Sequence, residues 1–484
     1  MASIITFSVI ALSLGVWAMT GGDFVFALLP VAVAAAVYAF VRAPPHITAA
    51  SVLFIALATD DPNLHPANNE WQQPLHMLGR ALFENLNNLT GIGSLRFALI
   101  DVVIPLLLLL AVLRWKDKRL SSGYIPVPRP LWTTMLLLFF TVVFLEVYGI
   151  GTGGNFKASL WQVRHLLWLG PASFIYFLML RGPHDARTLG KVILAAALWK
   201  AATGIYYYVV LCRAFGFRPD YINTHADTIL YVTAMAMTAA HALHKRTAWS
   251  AALAAFTIPI LMVATVLNSR RIAYVSLASI GVVAIALLPP GRLKRRILVA
   301  GLIIAALLPT YVRLGSSYGS ILFRPAVEIS TLLAEDDTSK TFRDSENYNL
   351  VTSIRESPIF GKGFGHGYQE HVHLSSIEGA FSLYRYIPHN TLLWLWLLGG
   401  LVGFTILWMP LLIGSFFALR AHRAARSADE RTIALTCVAV LIAHQFQIYA
   451  DMGTQYWMSV ILVPAALAMA GKLAITTGAW PRDA

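Results

Sequence analysis

A chain of 484 residues that is 57% hydrophobic and 13% charged, with a mean hydropathy of +0.64, carries more apolar surface than a water-soluble fold can bury. Runs such as 102–113, 131–145, 272–288 and 302–308 are apolar all round, which excludes the alternating strands of an outer-membrane barrel and leaves a polytopic helical membrane protein. Cys212 and Cys437 fall in or beside separate apolar runs and make no disulfide or metal framework, so the +13 net charge is the remaining feature to explain.

Fourteen spans are predicted: 4–19, 24–42, 46–59, 98–115, 130–149, 162–181, 190–212, 227–244, 247–267, 270–289, 294–312, 391–419, 431–449 and 455–471. The fold class is therefore all-α, a transmembrane bundle of about 12–14 spans. The first segment has no Lys or Arg ahead of it and no small-residue cleavage site, and is read as a helix rather than a removable signal. Three regions result: transmembrane helices over 1–312 with an outer loop near 60–97, a large extracytoplasmic loop over 313–388, and C-terminal transmembrane helices over 389–484.

Cytoplasmic loops of membrane proteins collect Lys and Arg, which orients the bundle. With both termini inside, the inner loops hold Arg42, the 114–129 and 181–191 groups, Lys245-Arg246, the 292–296 group, Arg420 to Arg431, Lys472 and Arg482, which is 21 of the 37 basic residues. Much of the net charge is thus a topology signal, and no nucleic-acid partner is implied.

Two sizeable segments lie outside. The first, 60–96, includes a stretch at 77–89 with the pattern of an amphipathic helix on the membrane surface. The second, 313–388, is far longer than a bundle connection needs. Asn347, Leu350, Val351 and Ile354 follow helical spacing within it, Pro358 ends the pattern, and Gly361, Gly363, Gly365 and Gly367 form a turn whose amides are candidate phosphate contacts. His389-Asn390 then stands where this loop meets the next apolar run, a hydrated place for a titratable group. Asn390 is also a natural helix cap. Tyr384, Tyr386 and Trp394 are candidates for stacking on sugar rings or for membrane-interface anchors.

The outer face also gathers cations. Arg164 and His165 begin one span from outside, Arg213, Arg218 and His225 occupy the next outer loop, and Arg270-Arg271 make up most of the one after. Each arginine at a span end costs less than the roughly 2.5–3.5 kcal/mol of a central one. Their concentration on the disfavoured side points to a substrate bearing phosphate or pyrophosphate, which guanidinium forks bind in bidentate fashion. Arg343 is either a further contact or a partner of Asp344 or Glu346. Glu335-Asp336-Asp337 and Asp60-Asp61 are the metal candidates, but no Asp-x-Asp motif is present, and no metal or other cofactor is expected.

Phe342-Arg343-Asp344, then Ser357-Pro358-Ile359-Phe360-Gly361-Lys362-Gly363-Phe364-Gly365, then His389-Asn390 with Gly400 and Gly403, resembles the signature of the O-antigen ligase and polymerase superfamily. Asn268-Ser269-Arg270-Arg271 is similar to the Ser-Arg step that opens an earlier helix in that family, and the close resemblance covers residues 268–405. It implies glycosyl transfer outside the cytoplasmic membrane from an undecaprenyl-pyrophosphate-linked glycan to a sugar hydroxyl, on lipid A-core or on another repeat unit. It further implies that His389 deprotonates the acceptor and that Arg270 or Arg271 holds the pyrophosphate, with Arg213 or Arg218 as a further arginine. Adjacent residues on a helix point about 100° apart, so only one of Arg270 and Arg271 is expected to face the site. Two other readings are a protein O-oligosaccharyltransferase and a transporter or flippase of lipid-linked sugars. The transporter reading predicts inverted repeats with broken helices at mid-membrane, and no such pair is visible in the sequence.

Overall fold

The computed structural model describes residues 2–19, 29–59, 73–85, 97–117, 123–214, 216, 219, 221–315, 323–333, 338–374 and 381–482. Each of the fourteen predicted spans coincides with a helix. They are α1 (Ala2–Met19), α2 (Leu29–Arg42), α3 (Pro45–Ala58), α5 (Ile100–Lys116), α6 (Arg129–Gly151), α7 (Phe156–Met179), α8 (Ala186–Tyr206), α9 (Asp227–Lys245), α10 (Ala248–Leu267), α11 (Arg271–Leu287), α12 (Arg292–Gly315), α15 (Thr391–Ala424), α16 (Ala428–Ala450) and α17 (Trp457–Thr476). Seven are long and apolar enough to cross a membrane by length and composition: α6, α8 with its extension to Ala214, α10, α12, α15, α16 and α17. α3 and α11 are shorter apolar helices.

Three helices lie between spans: α4 (His76–Phe83), α13 (Arg324–Leu333) and α14 (Thr338–Ile354). The stretch predicted at 77–89 is a shorter helix than its pattern suggested. It ends at Glu84, which pairs with Arg80, and it exposes Met77 and Leu78 while burying Phe83.

The core is built on α17, whose side chains from Trp457 to Ala474 are buried on every side against α7, α15, α16 and α3. α12 is the opposite case: Leu302, Ile303, Ile304 and Leu307 all face outward, as suits a helix solvated by lipid. Four of the basic residues assigned to inner loops are anchored by ion pairs or hydrogen bonds. Arg187 and Lys245 share Asp429, Arg181 pairs with Asp185, and Lys472 Nζ donates to the carbonyl of Ile125, whose own amide donates to the Arg181 carbonyl.

The long loop is fastened into the bundle through a break in α15. Gly400 takes φ 60°, ψ −169°, a conformation open to glycine alone, and interrupts the helical hydrogen bonds. The freed carbonyls of Leu397 and Leu398 accept from the amides of Lys362 and Gly363, and the freed amides of Leu401 and Val402 donate to Pro358 and Ile359. A broken helix is tolerated at membrane depth only where other protein re-satisfies it, and residues 358–363 do so. A Cβ on Gly400 would lie 2.2 Å from the Ile359 carbonyl carbon, so the loop approaches as closely as backbone permits. The same turn reaches α6, where a Cβ on Gly149 would lie 2.0 Å from the Phe364 carbonyl oxygen.

Candidate active site

Helix α14 supplies the first part of the site. Its buried stripe, Phe342, Leu350 and Ile354, packs with Tyr368, Tyr384 and Leu397, as the spacing of Leu350 and Ile354 predicted. Glu346 lies on that stripe, four residues from Phe342 and four from Leu350, and is completely buried. A buried carboxylate needs partners, and Glu346 finds them 43 residues away. It accepts from the main-chain amide of His389 at 3.0 Å and faces the His389 ring Nδ1 at 3.2 Å. Since a carboxylate only accepts, Nδ1 carries the proton and the neutral ring keeps the lone pair of Nε2. Among the described residues no hydrogen bond reaches Nε2. The side chain of His389 is 25% exposed and rests edge-on against Phe342.

Burial opposes a charge on this imidazole. The hydrogen bond that His389 donates to Glu346, the charge of Glu346 and that of Asp451 outweigh burial and the repulsion of Arg343, so the His389 pKa is raised above its ordinary value. Asn390 is a cap: its side chain accepts from the Leu393 amide and donates to Asn347.

The turn between α10 and α11 supplies the second part. Asn268 is locked by Asn223 and Thr224: its Oδ1 accepts from the Asn223 amide and its Nδ2 donates to the Thr224 carbonyl. Ser269 takes a left-handed φ of 50°, and Arg270 then leaves the turn towards Tyr221, its guanidinium 4.3 Å from the ring centroid. Burial pulls the Arg270 pKa below its ordinary value against the pull of Asp451, Tyr221 and Tyr456. Its Nε and one terminal nitrogen are buried without a hydrogen-bond partner. Arg271 faces another way, towards Glu328 on α13, whose charged form it favours.

The third part is Asp451, which caps α16. It is fully buried, and one carboxylate oxygen takes His225 Nδ1 at 2.5 Å, Gln447 at 2.9 Å and the Tyr456 hydroxyl at 2.8 Å. Burial resists its ionisation, but these partners hold it well below the usual carboxylate range. Its main-chain carbonyl accepts from Thr391, the first residue of α15, so it is joined directly to the His389 turn. Asp451 and Arg343 both act electrostatically on His389 and on Arg270, so the four lie within electrostatic reach of one another in one polar site.

Other predicted residues go elsewhere. Arg164 is committed to Asp101 and Asn85 and stacks over Trp457, against which the buried His165 also packs. Arg213 is exposed on the short helical turn after α8 and is not brought to the site, and Arg218 lies outside the described residues. Among the described residues Arg343 forms no ion pair with Asp344 or Glu346, and its charge acts on His389 and Arg270.

Over residues 361–365 the glycine turn offers no free amide to a phosphate. The amides of residues 361–365 are all spent, on Ser357, Leu397, Leu398, Leu145 and the side chain of Gln162. Tyr384 and Trp394 are buried and bonded to Glu370 and the Tyr386 carbonyl, so neither presents a face for a sugar. The acidic groups at 60–61 and 335–337 lie outside the described residues, and no cluster of three metal-ligating side chains occurs among the rest.

Glu346 and Asp451 were not anticipated from the sequence. A carboxylate at helical spacing among apolar residues, and one at the end of an apolar span, are the signals that mark them. No curated protein matches the chain. Residues 254–408, which carry Arg270, Glu346 and His389, match the family model described as O-antigen ligase, and this match over about a third of the chain supports an assignment to the O-antigen ligase and polymerase superfamily.

Proposed function

We propose that this O-antigen ligase-type membrane enzyme moves a glycan from undecaprenyl pyrophosphate to a sugar hydroxyl, of lipid A-core or of another repeat unit, in one inverting step at the periplasmic face of a bacterial inner membrane. The observation that carries the reading is the buried guanidinium of Arg270, two of its nitrogens unpaired, in the same polar site as a histidine whose Nδ1 is fixed by Glu346. Unpaired buried donors are costly, and a pyrophosphate oxygen is the kind of group that would satisfy them.

In the step itself, Nε2 of His389 takes the proton of the acceptor hydroxyl as that oxygen bonds to the sugar C1. The bond from C1 to the pyrophosphate oxygen breaks, and its electron pair leaves on the pyrophosphate. Arg270, with Arg343 beside it, stabilises the charge that develops there. Glu346 holds the ring in the required tautomer and stabilises the imidazolium. Residues 313–388 form the periplasmic loop that brings Glu346 to His389, between the transmembrane regions 1–312 and 389–484.

The test is deletion of the gene in its host, followed by complementation and a gel of surface glycan. His389→Ala and Arg270→Ala proteins, matched for membrane abundance, are expected to restore no product, while Arg271→Ala restores most of it. Long carrier-linked chains accumulating in the deletion indicate a ligase, and single repeats left on lipid A-core indicate a polymerase. Full restoration by His389→Ala would overturn the assignment of the base.

A further inference from the structure

At the other end of the bundle, residues of α3, α8, α9, α10, α16 and α17 line an open cavity of about 600 Å³. It is remote from the site already described. Asp429 is at its rim and Asp451 is in the polar site; they stand at opposite ends of α16, 23 residues long, which is about 33 Å at 1.5 Å per residue.

The cavity has two chemistries. Its wall is apolar, with Leu194, Met237 and Val440 among the residues facing it. Its rim carries Arg187, Lys191 and Lys245, with Asp429 as the carboxylate among them. Asp429 binds Arg187 at 3.1 Å and Lys245 at 2.9 Å, and Lys191 stands one turn beyond Arg187 on the same helix. Three cations against one carboxylate leave an excess of positive charge at the mouth of an apolar chamber.

The volume falls in the range of small-molecule sites, roughly 300–1,000 Å³. Basic pockets between spans on the positively charged side of a membrane protein recognise acidic lipid headgroups. We infer that this cavity is a binding site for an anionic phospholipid, one acyl chain lying in the apolar chamber and the phosphate meeting Lys191, Lys245 and Arg187. A zwitterionic lipid brings its own cation to the same rim and is disfavoured there.

The experiment uses the full-length protein in detergent and native mass spectrometry, with phosphatidylglycerol and phosphatidylcholine of identical chains. Phosphatidylglycerol is expected to be retained at least tenfold better. Lys191→Gln with Lys245→Gln should abolish that preference, and Ala466→Trp, whose ring would obstruct the chamber, should weaken retention of both lipids. The double variant changes only rim residues, so it remains informative if Ala466→Trp does not fold, which a thermal scan reveals. Equal retention of the two lipids, or a preference unchanged in the double variant, would overturn the proposal. So would displacement of phosphatidylglycerol by undecaprenyl phosphate at equal concentration, which would reassign the chamber to the carrier.

Discussion

Two N–H groups of His389, the ring Nδ1–H and the main-chain amide, converge on the Glu346 carboxylate, so this one side chain fixes both the position and the tautomer of the imidazole. The same contact favours the charged ring and raises its pKa in spite of burial. A base must be neutral to accept a proton, so transfer is expected to fall as pH drops through this raised value. Glu346→Gln removes the negative charge, lets burial dominate and moves the acid limb of the rate profile to lower pH. A neutral glutamine still accepts from the ring but no longer stabilises the imidazolium that forms in the step, so the plateau rate is expected to fall by about 10²-fold. The rate of glycan transfer by membranes, measured across pH, checks both effects. An unshifted acid limb with a reduced plateau would leave Glu346 a merely structural role.

At the scale of elements, the Gly400 break and the turn from Pro358 to Phe364 act as a plug and socket that sets where α14, and with it Glu346, stands relative to His389. Gly400→Ala places a Cβ 2.2 Å from a backbone carbon in a left-handed conformation. The expected cost is about 1–3 kcal/mol for the backbone alone, and more because the clash is with backbone that cannot rotate away. Gly403→Ala is the control, since its Cβ would meet Leu145 at an ordinary 3.4 Å. Thermal unfolding in detergent should separate the two variants by several degrees, and equal midpoints would deny the socket its role.

The sequence made the spans legible, because apolar periodicity is a local signal. It also made His389 and the Ser269-Arg270 turn legible, through the resemblance. The docking of the glycine turn was out of reach: its carbonyl acceptors lie on α6 and α15, and no local spacing reports a long-range backbone pairing. The pairing of Glu346 with His389 was hidden for the same reason, and Arg164 misled because Asp101, its partner, is 63 residues earlier.

Over the whole molecule, the site is assembled from loops of both halves of the chain, and a buried ion pair inside the bundle supports the loop on which two of these contacts meet. Lys200 on α8 lies 3.3 Å from Asp227 at the start of α9, both fully buried. The other Asp227 oxygen accepts from the amide and hydroxyl of Thr224. Thr224 in turn takes Asn268, which precedes the Arg270 turn, and its neighbour His225 takes Asp451. Intramembrane charges are rare and usually have such a task. Removing one partner strands the other, at a cost of about 3–5 kcal/mol. Lys200→Met is therefore expected to lower the thermal midpoint strongly and to weaken transfer. Adding Asp227→Asn should recover most of the stability, because asparagine is neutral and keeps an acceptor for the Thr224 amide. A double variant no more stable than Lys200→Met would show that the pair does not hold the loop, and that the Arg270 turn is set by Asn268 alone.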